Sequence, residues 1–291
     1  MRPRVRIAVI IPAGPRDDVL DTLASVVHYT DPSRAILVVD DEALSKNQTR
    51  TCDLAPEIAV IDAPRRAPGT QGGLWVKLAA GYRWILERYE PQMVLRLDAD
   101  ALLLGRGLEA AVERVLMSSP KVGLLGSYRI GPDGGVRDFS PAAHQLHADS
   151  GFRGLRHPKC RSSLRHYLRL AQMHGYVDGE SALGGAYIHS YEAASCIYRN
   201  GWFSQPCLAK SKLGEDHIMA LLTVAAGFQI ADFGGPAGPM ALKWRGLPAH
   251  PREILAAGKL VTHSVRSWQD LTEREIRGIF AQARTGKSDR S

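Results

Sequence analysis

The chain reads as an α/β protein: a mostly parallel, Rossmann-like nucleotide-binding sheet fused to a mixed part that follows it. Three observations predict this. Unbroken runs of Val, Ile and Leu alternate with amphipathic helical stretches through the first half, as strands covered on both faces require. Carboxylates follow two of those runs directly, at the strand ends where such sheets bind ligands. Beyond Tyr128 the alternation stops and a stretch rich in Gly, Pro, His and Arg begins.

The elements follow in order. Ile7–Ile11 is an apolar run ended by the turn residues Pro12-Ala13-Gly14-Pro15. Asp17–Tyr29 sets Val19, Leu20, Leu23, Val26 and Val27 at helical spacing. Ala35–Val39 is a second strand, stopped by Asp40-Asp41, and Ile58–Ile61 a third. Leu74–Leu86 reads as an amphipathic helix, and Met93–Leu97 as a strand stopped by Asp98-Ala99-Asp100. Leu108–Leu116 is helical and Val122–Leu125 extended. Between Gly131 and Leu183 the pattern predicts one helix, around Leu164–Met173, inside a long irregular insertion of the kind that forms lids and binding loops. Order resumes with Tyr191–Arg199, a helix over Asp216–Ala226 closed by Gly227, and a strand over Phe228–Phe233. Thr272 and Glu275 have the spacing of a capping box, with Leu271 and Ile276 placed as its hydrophobic staple.

With 291 residues, 45% of them hydrophobic and 23% charged, the composition is that of a globular protein with a sizeable core. The N-terminal apolar run is shorter than a signal-peptide core, and no segment approaches the ~20 apolar residues of a membrane span. Four scattered cysteines without a Cys-x-x-Cys pair exclude a zinc cluster or disulfide scaffold and predict reduced thiols in a cytoplasmic protein. The net charge of +7 is uneven. Arg153, Arg156, Lys159, Arg161, Arg165 and Arg169 crowd one segment that contains no acidic residue. It reads either as a solvated face or as a landing site for a phosphorylated or acidic acceptor.

Three places carry chemistry. Asp98 and Asp100 stand two apart on an extended segment and so share a face. Two close carboxylates repel, and a hard divalent cation, Mg²⁺ or Mn²⁺, relieves this while gripping phosphates. Glu215 and Asp216 open a helix, where an acid complements the dipole and where a carboxylate can also take a proton from an attacking hydroxyl. His263, in the run Lys259–His263, is the third: an imidazole ligand tilts the choice of metal towards Mn²⁺. His250 ranks behind it as a ligand, and Trp244 and Arg245 are placed to close over a bound molecule. His144 and His147 have no nearby Cys or Glu to complete a zinc site.

In this order the pieces resemble the GT-A glycosyltransferases, most closely the inverting family 2 type, over most of the chain. Val9-Ile10-Ile11-Pro12 is similar to the family's opening strand, and Leu37-Val38-Val39-Asp40-Asp41 to its second. Leu97-Asp98-Ala99-Asp100 matches its Asp-x-Asp motif. Gly184-Gly185-Ala186 before a helix, then Gly201-Trp202-Phe203 and Gly214-Glu215-Asp216, follow its acceptor side. The resemblance implies a nucleotide-sugar donor contacted by Pro12, Ala13, Asp40, Asp41, Lys77 and Asp98. It implies a metal on Asp98, Asp100 and His263, with Asp216 as general base beside Glu215. Residues 1–128 would then form the donor half, 129–183 a basic insertion or lid, 184–285 the acceptor-side half and 286–291 a frayed tail. Two departures stand out: Glu42-Ala43-Leu44 replaces the family's Gly-Ser, and Arg65–Gly73 lacks the Gly-Lys-Ser/Thr ending of an ATP loop, although Arg65 and Arg66 are within chain reach of a diphosphate. Rival readings are a retaining GT-A transferase, a sugar-phosphate nucleotidyltransferase, which the sequence after the first strand fits poorly, and a basic nucleic-acid binder. The last leaves the carboxylates unexplained, so no nucleic-acid partner is expected; the acceptor stays open.

Overall fold

The computed structural model describes residues 1–14, 17–41, 55, 57–64 and 72–286. Its centre is a seven-stranded sheet in the order β3-β2-β1-β4-β7-β6-β8. The strands are β1 (Arg4–Ala13), β2 (Arg34–Asp40), β3 (Ile58–Asp62), β4 (Glu90–Leu97), β6 (Val122–Gly126), β7 (Ala186–Ser190) and β8 (Gln229–Asp232). All neighbours pair parallel except β7, which runs antiparallel to both β4 and β6. The mostly parallel α/β sheet expected from the apolar runs is thus present.

The two-residue period of a strand divides β1 between two cores. Ile7, Val9 and Ile11 pack with Leu23 and Val26 of α1 (Leu20–Tyr29) and with Leu108 and Val112 of the later helix Leu108–Ser118. Ala8 and Ile10 face the other way, onto Trp75, Leu78 and Tyr82 of α2 (Gly72–Arg88). The strands are covered on both faces, which is why they lack polar alternation. The helix Leu108–Ser118 is α3.

The segment 131–183 holds more structure than expected. It forms α4 (Ser140–Ser150), a 3₁₀ turn at Arg153–Arg156 and α5 (Pro158–Met173). In α4 only Leu146 and Ser150 are buried, so the sequence carries no apolar stripe to read. The helix α5 begins earlier than its apolar residues, because its first turn is basic; Leu164, Tyr167 and Ala171 enter the core shared with α2. The Gly184-Gly185-Ala186 motif precedes a helix as expected, but a strand not expected from the sequence, β7, comes between: α6 (Tyr191–Arg199) follows it, capped by the Ser190 hydroxyl accepting from the Ala193 amide.

A three-stranded sheet, β5-β10-β9, continues from the end of β4. β5 (Ala101–Leu103) pairs antiparallel with β10 (Val261–His263), setting His263 opposite Ala101, and β9 (Met240–Ala241) lies on β10's far side. This small sheet returns the distant C-terminal chain to the Asp98–Asp100 turn. In chain order α7 (Glu215–Ala225) lies between β5 and β9, α8 (Pro251–Ala256) between β9 and β10, and α9 (Glu273–Thr285) after β10. The Thr272–Glu275 capping box opens α9 as expected, with Leu271 and Ile276 in one apolar cluster. Among the described residues, no helix is long and apolar enough to cross a membrane.

His189 explains why β7 was hard to read. It sits fully buried in the strand, its Nδ1 2.6 Å from the Tyr82 hydroxyl and its Nε2 3.0 Å from Thr223 Oγ1. Burial lowers its pKa from 6.5 to about 3, so it is neutral in the fold and protonates only on unfolding. Its folded pKa is depressed, so the unfolded state binds the extra proton and stability falls as pH drops from about 6.5 towards 3. The slope is about 1.4 kcal/mol per pH unit. Urea unfolding between pH 7 and pH 4 should show this loss, and His189→Gln should shrink it; an unchanged slope would mean another group dominates acid sensitivity.

Candidate active site

A cavity of about 540 Å³ opens at the carboxyl ends of β1 and β4. Pro12, Ala13 and Gly14 leave β1 into its wall, and Asp41 follows β2. Asp98 and Asp100 come from the turn after β4, Gly184 and Gly185 precede β7, and Gly214–Asp216 start α7. His263 and Arg266 close it from the small sheet, with Trp244 at the lip.

The Asp98-Ala99-Asp100 turn is pinned through its backbone. Asp98 N donates to Gly185 O at 2.8 Å, and Ala101 N to Asp98 O at 3.0 Å. The Ala99 carbonyl accepts from Thr22 Oγ1 at 2.7 Å and from Arg277 Nη2 at 3.0 Å, so α1 and α9 both hold the turn's middle residue. Asp98 and Asp100 present their carboxylates to one point, where His263 Nε2 lies 3.5 Å from Asp98 Oδ2 and 3.3 Å from Asp100 Oδ1. One ligand atom from each of the three falls within 4.8 Å of the others. The Lys243 carbonyl accepts from His263 Nδ1 at 2.8 Å, which fixes the ring and turns Nε2 to the carboxylates. Two carboxylates and an oriented imidazole suit a divalent cation, and Mn²⁺ better than Mg²⁺. Burial alone would lower the His263 pKa; hydrogen bonds to Asp100 and Asp98 outweigh it and push it up to about 9. A bound cation would displace that proton. Burial likewise opposes ionisation of Asp100, but hydrogen bonds from His263 and Arg266 hold it well below the usual carboxylate range. Gly185 has φ 100°, and a Cβ there would stand 2.4 Å from the His263 ring, so only glycine lets the imidazole approach.

Arg96 lies beneath this cluster. It is 1% exposed, and its Nη2 is 2.8 Å from Asp98 Oδ1 and 2.9 Å from Glu215 Oε1. Its guanidinium stands 5.4 Å from the centroid of the Tyr187 ring, a further source of attraction. Burial pulls its pKa down, but Asp98 and Glu215 more than offset this and the group is charged. Sequence reasoning passed over Arg96, although its signal was visible: a cation in an otherwise apolar strand, two residues before Asp98 and so on the same face. Arg266 was missed with no comparable signal; it places Nε 2.6 Å from Asp100 Oδ2 and Nη2 3.1 Å from Asp17 Oδ1.

The first residue of α7, Glu215, is buried against Arg96; burial pushes its carboxyl up, and the charges of Asp216 and Asp98 push it the same way against the pull of Arg96. Asp216 turns into the cavity instead. Its Oδ2 accepts from Gly184 N at 3.2 Å and its Oδ1 from His217 N at 3.0 Å, so the backbone aims it without consuming its charge. Lys77, from α2, joins Asp41 at 2.9 Å. Asp40, the last residue of β2, is buried and outside the cavity wall, so of the paired carboxylates only Asp41 lines the cavity.

His250 is a helix cap: its ring accepts from Arg252 N within a capping box that starts α8, and it does not join the metal cluster. Among the described residues the only potential metal cluster is Asp98, Asp100 and His263, which leaves His144 and His147 outside; His147 pairs with Asp178 at 2.9 Å. Trp244 is exposed at the lip, with Arg245 stacked 4.6 Å from its ring centroid. Arg65, Arg66, the Glu42-Ala43-Leu44 departure, Pro15 and most of the tail lie outside the described residues.

No protein-family model and no curated protein sequence matches the chain. Among solved structures, its fold is similar to that of the bifunctional glycosyltransferase WbbM, with a TM-score of 0.51 and 11% identity over 96% of this chain and 50% of that one. The chain therefore spans about half of that protein's length. A looser likeness, with a TM-score of 0.38 and 16% identity, covers 98% of this chain and 82% of glucosyl-3-phosphoglycerate synthase from Mycobacterium tuberculosis, solved with Mn²⁺, UDP and glucosyl-3-phosphoglycerate. The architecture is the one that the resemblance to GT-A enzymes implied.

Arg96 can be tested apart from any activity. Arg96→Met leaves the buried Glu215 and the cavity-lining Asp98 without their shared cation and should cost on the order of 3–5 kcal/mol of unfolding free energy. Adding Glu215→Gln to it removes the more deeply buried of the two acids and should restore part of the loss in urea titrations. A double variant no more stable than Arg96→Met would show that charge balance is not what Arg96 supplies.

Proposed function

We propose that the chain is a glycosyltransferase that moves a sugar from a nucleotide-diphosphate donor to an acceptor hydroxyl, with inversion at the anomeric carbon. The observation that carries this is the meeting, in one cavity at the strand ends, of a three-ligand cation cluster and a separate carboxylate, Asp216, aimed by backbone amides. A nucleotide fits the mouth formed by Pro12, Ala13 and Asp41, the position where sheets of this kind bind nucleotides. Lys77 and Arg266 line the same wall, paired there with Asp41 and Asp100.

In the proposed reaction Asp216 accepts the proton of the acceptor hydroxyl while that oxygen bonds to the anomeric carbon. The bond from this carbon to the diphosphate breaks, and its electron pair leaves with the nucleoside diphosphate. A divalent cation on Asp98, Asp100 and His263 supplies Lewis-acid neutralisation of that leaving group when bound. Glu215 is less suited to the base role: it is 4% exposed and committed to Arg96. Its part is to position Asp216 at the first turn of α7. The Arg96–Asp98 pair, for its part, orients the Asp98 side chain towards the cation position.

Thermal-shift measurements with a panel of nucleoside diphosphates, with and without Mn²⁺, test the donor site; one of them should raise the Tm with Mn²⁺ and much less without it. No shift with any nucleoside diphosphate would overturn the donor site. Asp216→Asn should keep that shift and lose transfer by roughly 10²–10⁴-fold. Near-full turnover in this variant would remove Asp216 as the base.

A further inference from the structure

A second cavity, of about 580 Å³, lies apart from the first and shares no lining residue with it. Its walls are the end of α4, the 3₁₀ turn Arg153–Arg156, the start of α5 and the segment Lys210–Lys212. These walls are bolted together. Asp149 Oδ2 accepts from Ser211 Oγ at 2.7 Å and from Lys212 N at 2.8 Å, while its Oδ1 accepts from Gln145. Arg161 Nε donates to Gly151 O at 2.7 Å, and a Cβ at Gly154 would strike the Asp149 carbonyl, so the turn is seated against α4.

Four cations face this cavity: Arg153, Arg156, Lys210 and Lys212. Among the described residues none of their side chains is paired with a carboxylate, and the one carboxylate in the lining, Asp149, is occupied by the three donors just named. Beside the cations, Phe152 is 87% exposed and Leu155 51% exposed, two apolar side chains set on the rim of a basic pocket.

The two cavities flank one short piece of chain. Lys210 and Lys212 line the second, and Gly214, Glu215 and Asp216 line the first, with buried Leu213 between. Lys212 and Asp216 are four positions apart in the chain, so their Cα atoms are at most about 14 Å apart.

We infer that this basic cavity binds a phosphate ester group of the acceptor, held within chain reach of Asp216 by Arg153, Arg156, Lys210 and Lys212. Guanidinium and ammonium groups together suit phosphate, by forked hydrogen bonds from the arginines and point charges from the lysines. The apolar rim assigns the adjoining part of the same molecule an apolar character. Calling the ligand an acceptor rests on the proposed transfer; the phosphate site itself does not.

The experiment measures binding without any nucleotide sugar. Glycerol phosphate is titrated by calorimetry, and phosphatidylcholine vesicles with and without phosphatidylglycerol are tested by cosedimentation. Binding to glycerol phosphate or to phosphatidylglycerol vesicles is expected, weakened roughly tenfold or more by Arg153→Ser/Arg156→Ser and by Lys210→Ser/Lys212→Ser. All four positions are exposed, so these variants should fold, and their thermal shift with Mn²⁺ and nucleoside diphosphate should match the parent's. Arg165→Ser/Arg169→Ser, on exposed α5 positions outside the cavity, should leave binding unchanged. Binding to the vesicles alone, lost in Phe152→Ser, assigns a lipid phosphate; binding to glycerol phosphate alone assigns a soluble one. Absence of binding to both overturns the site, as does equal loss in the Arg165/Arg169 variant, which would mean diffuse charge attraction. Failure of the Mn²⁺ and nucleoside diphosphate shift with phosphate binding intact would count against the proposed transfer and not against this cavity.

Discussion

Asp98, Asp100, Glu215 and Asp216 converge on one cavity wall, and a folded chain must hold these four acids together against their mutual repulsion. Arg96 makes that arrangement tenable. It lies buried behind the wall, pairs with Asp98 and Glu215 at once, and rests against Tyr187. Arg266 and His263 do the same from the front for Asp100. Charge is balanced from behind by one buried cation and from in front by groups that a ligand can replace. That asymmetry gives the site its polarity: the back is fixed by packing, while the front can exchange a proton for a metal ion.

Beside α7, which carries Glu215 and Asp216, the fold uses three other distant stretches of chain to build the site. β4 delivers Arg96, and Asp98 just beyond its last residue, to the carboxyl end of the sheet. β7, antiparallel beside it, brings Gly185 close enough for the His263 ring to lie against its bare backbone. β10 then returns His263 through the small sheet, in register with Ala101. Each contact depends on the others, because the Asp98 amide is held by Gly185 and the Ala99 carbonyl by α1 and α9. A disturbance in the C-terminal helix therefore reaches the acidic turn directly through Arg277.

Much of this was legible from residue order. Apolar runs located β1, β2, β4 and β6, and the carboxylates after β2 and β4 marked the ligand edge. Asp98, Asp100 and His263 were chosen as partners, and they meet. What could not be read has physical reasons. β7 carries a histidine satisfied by Tyr82 and Thr223, partners that only the fold supplies. The helix α4 buries too little to show a period, so a packed helical segment read as irregular. Asp40 and Asp41 are neighbours in sequence, yet strand alternation buries one and turns the other to the cavity. His250, ranked second as a ligand, uses its ring nitrogen to cap a helix.

The account depends on a single cation position shared by residues from β4 and β10. Anomalous scattering from a crystal soaked in Mn²⁺ measures this directly. A peak should appear between the carboxylates of Asp98 and Asp100 and Nε2 of His263, and vanish in Asp100→Asn crystals. A fully occupied peak elsewhere, with none among these three residues, would contradict it.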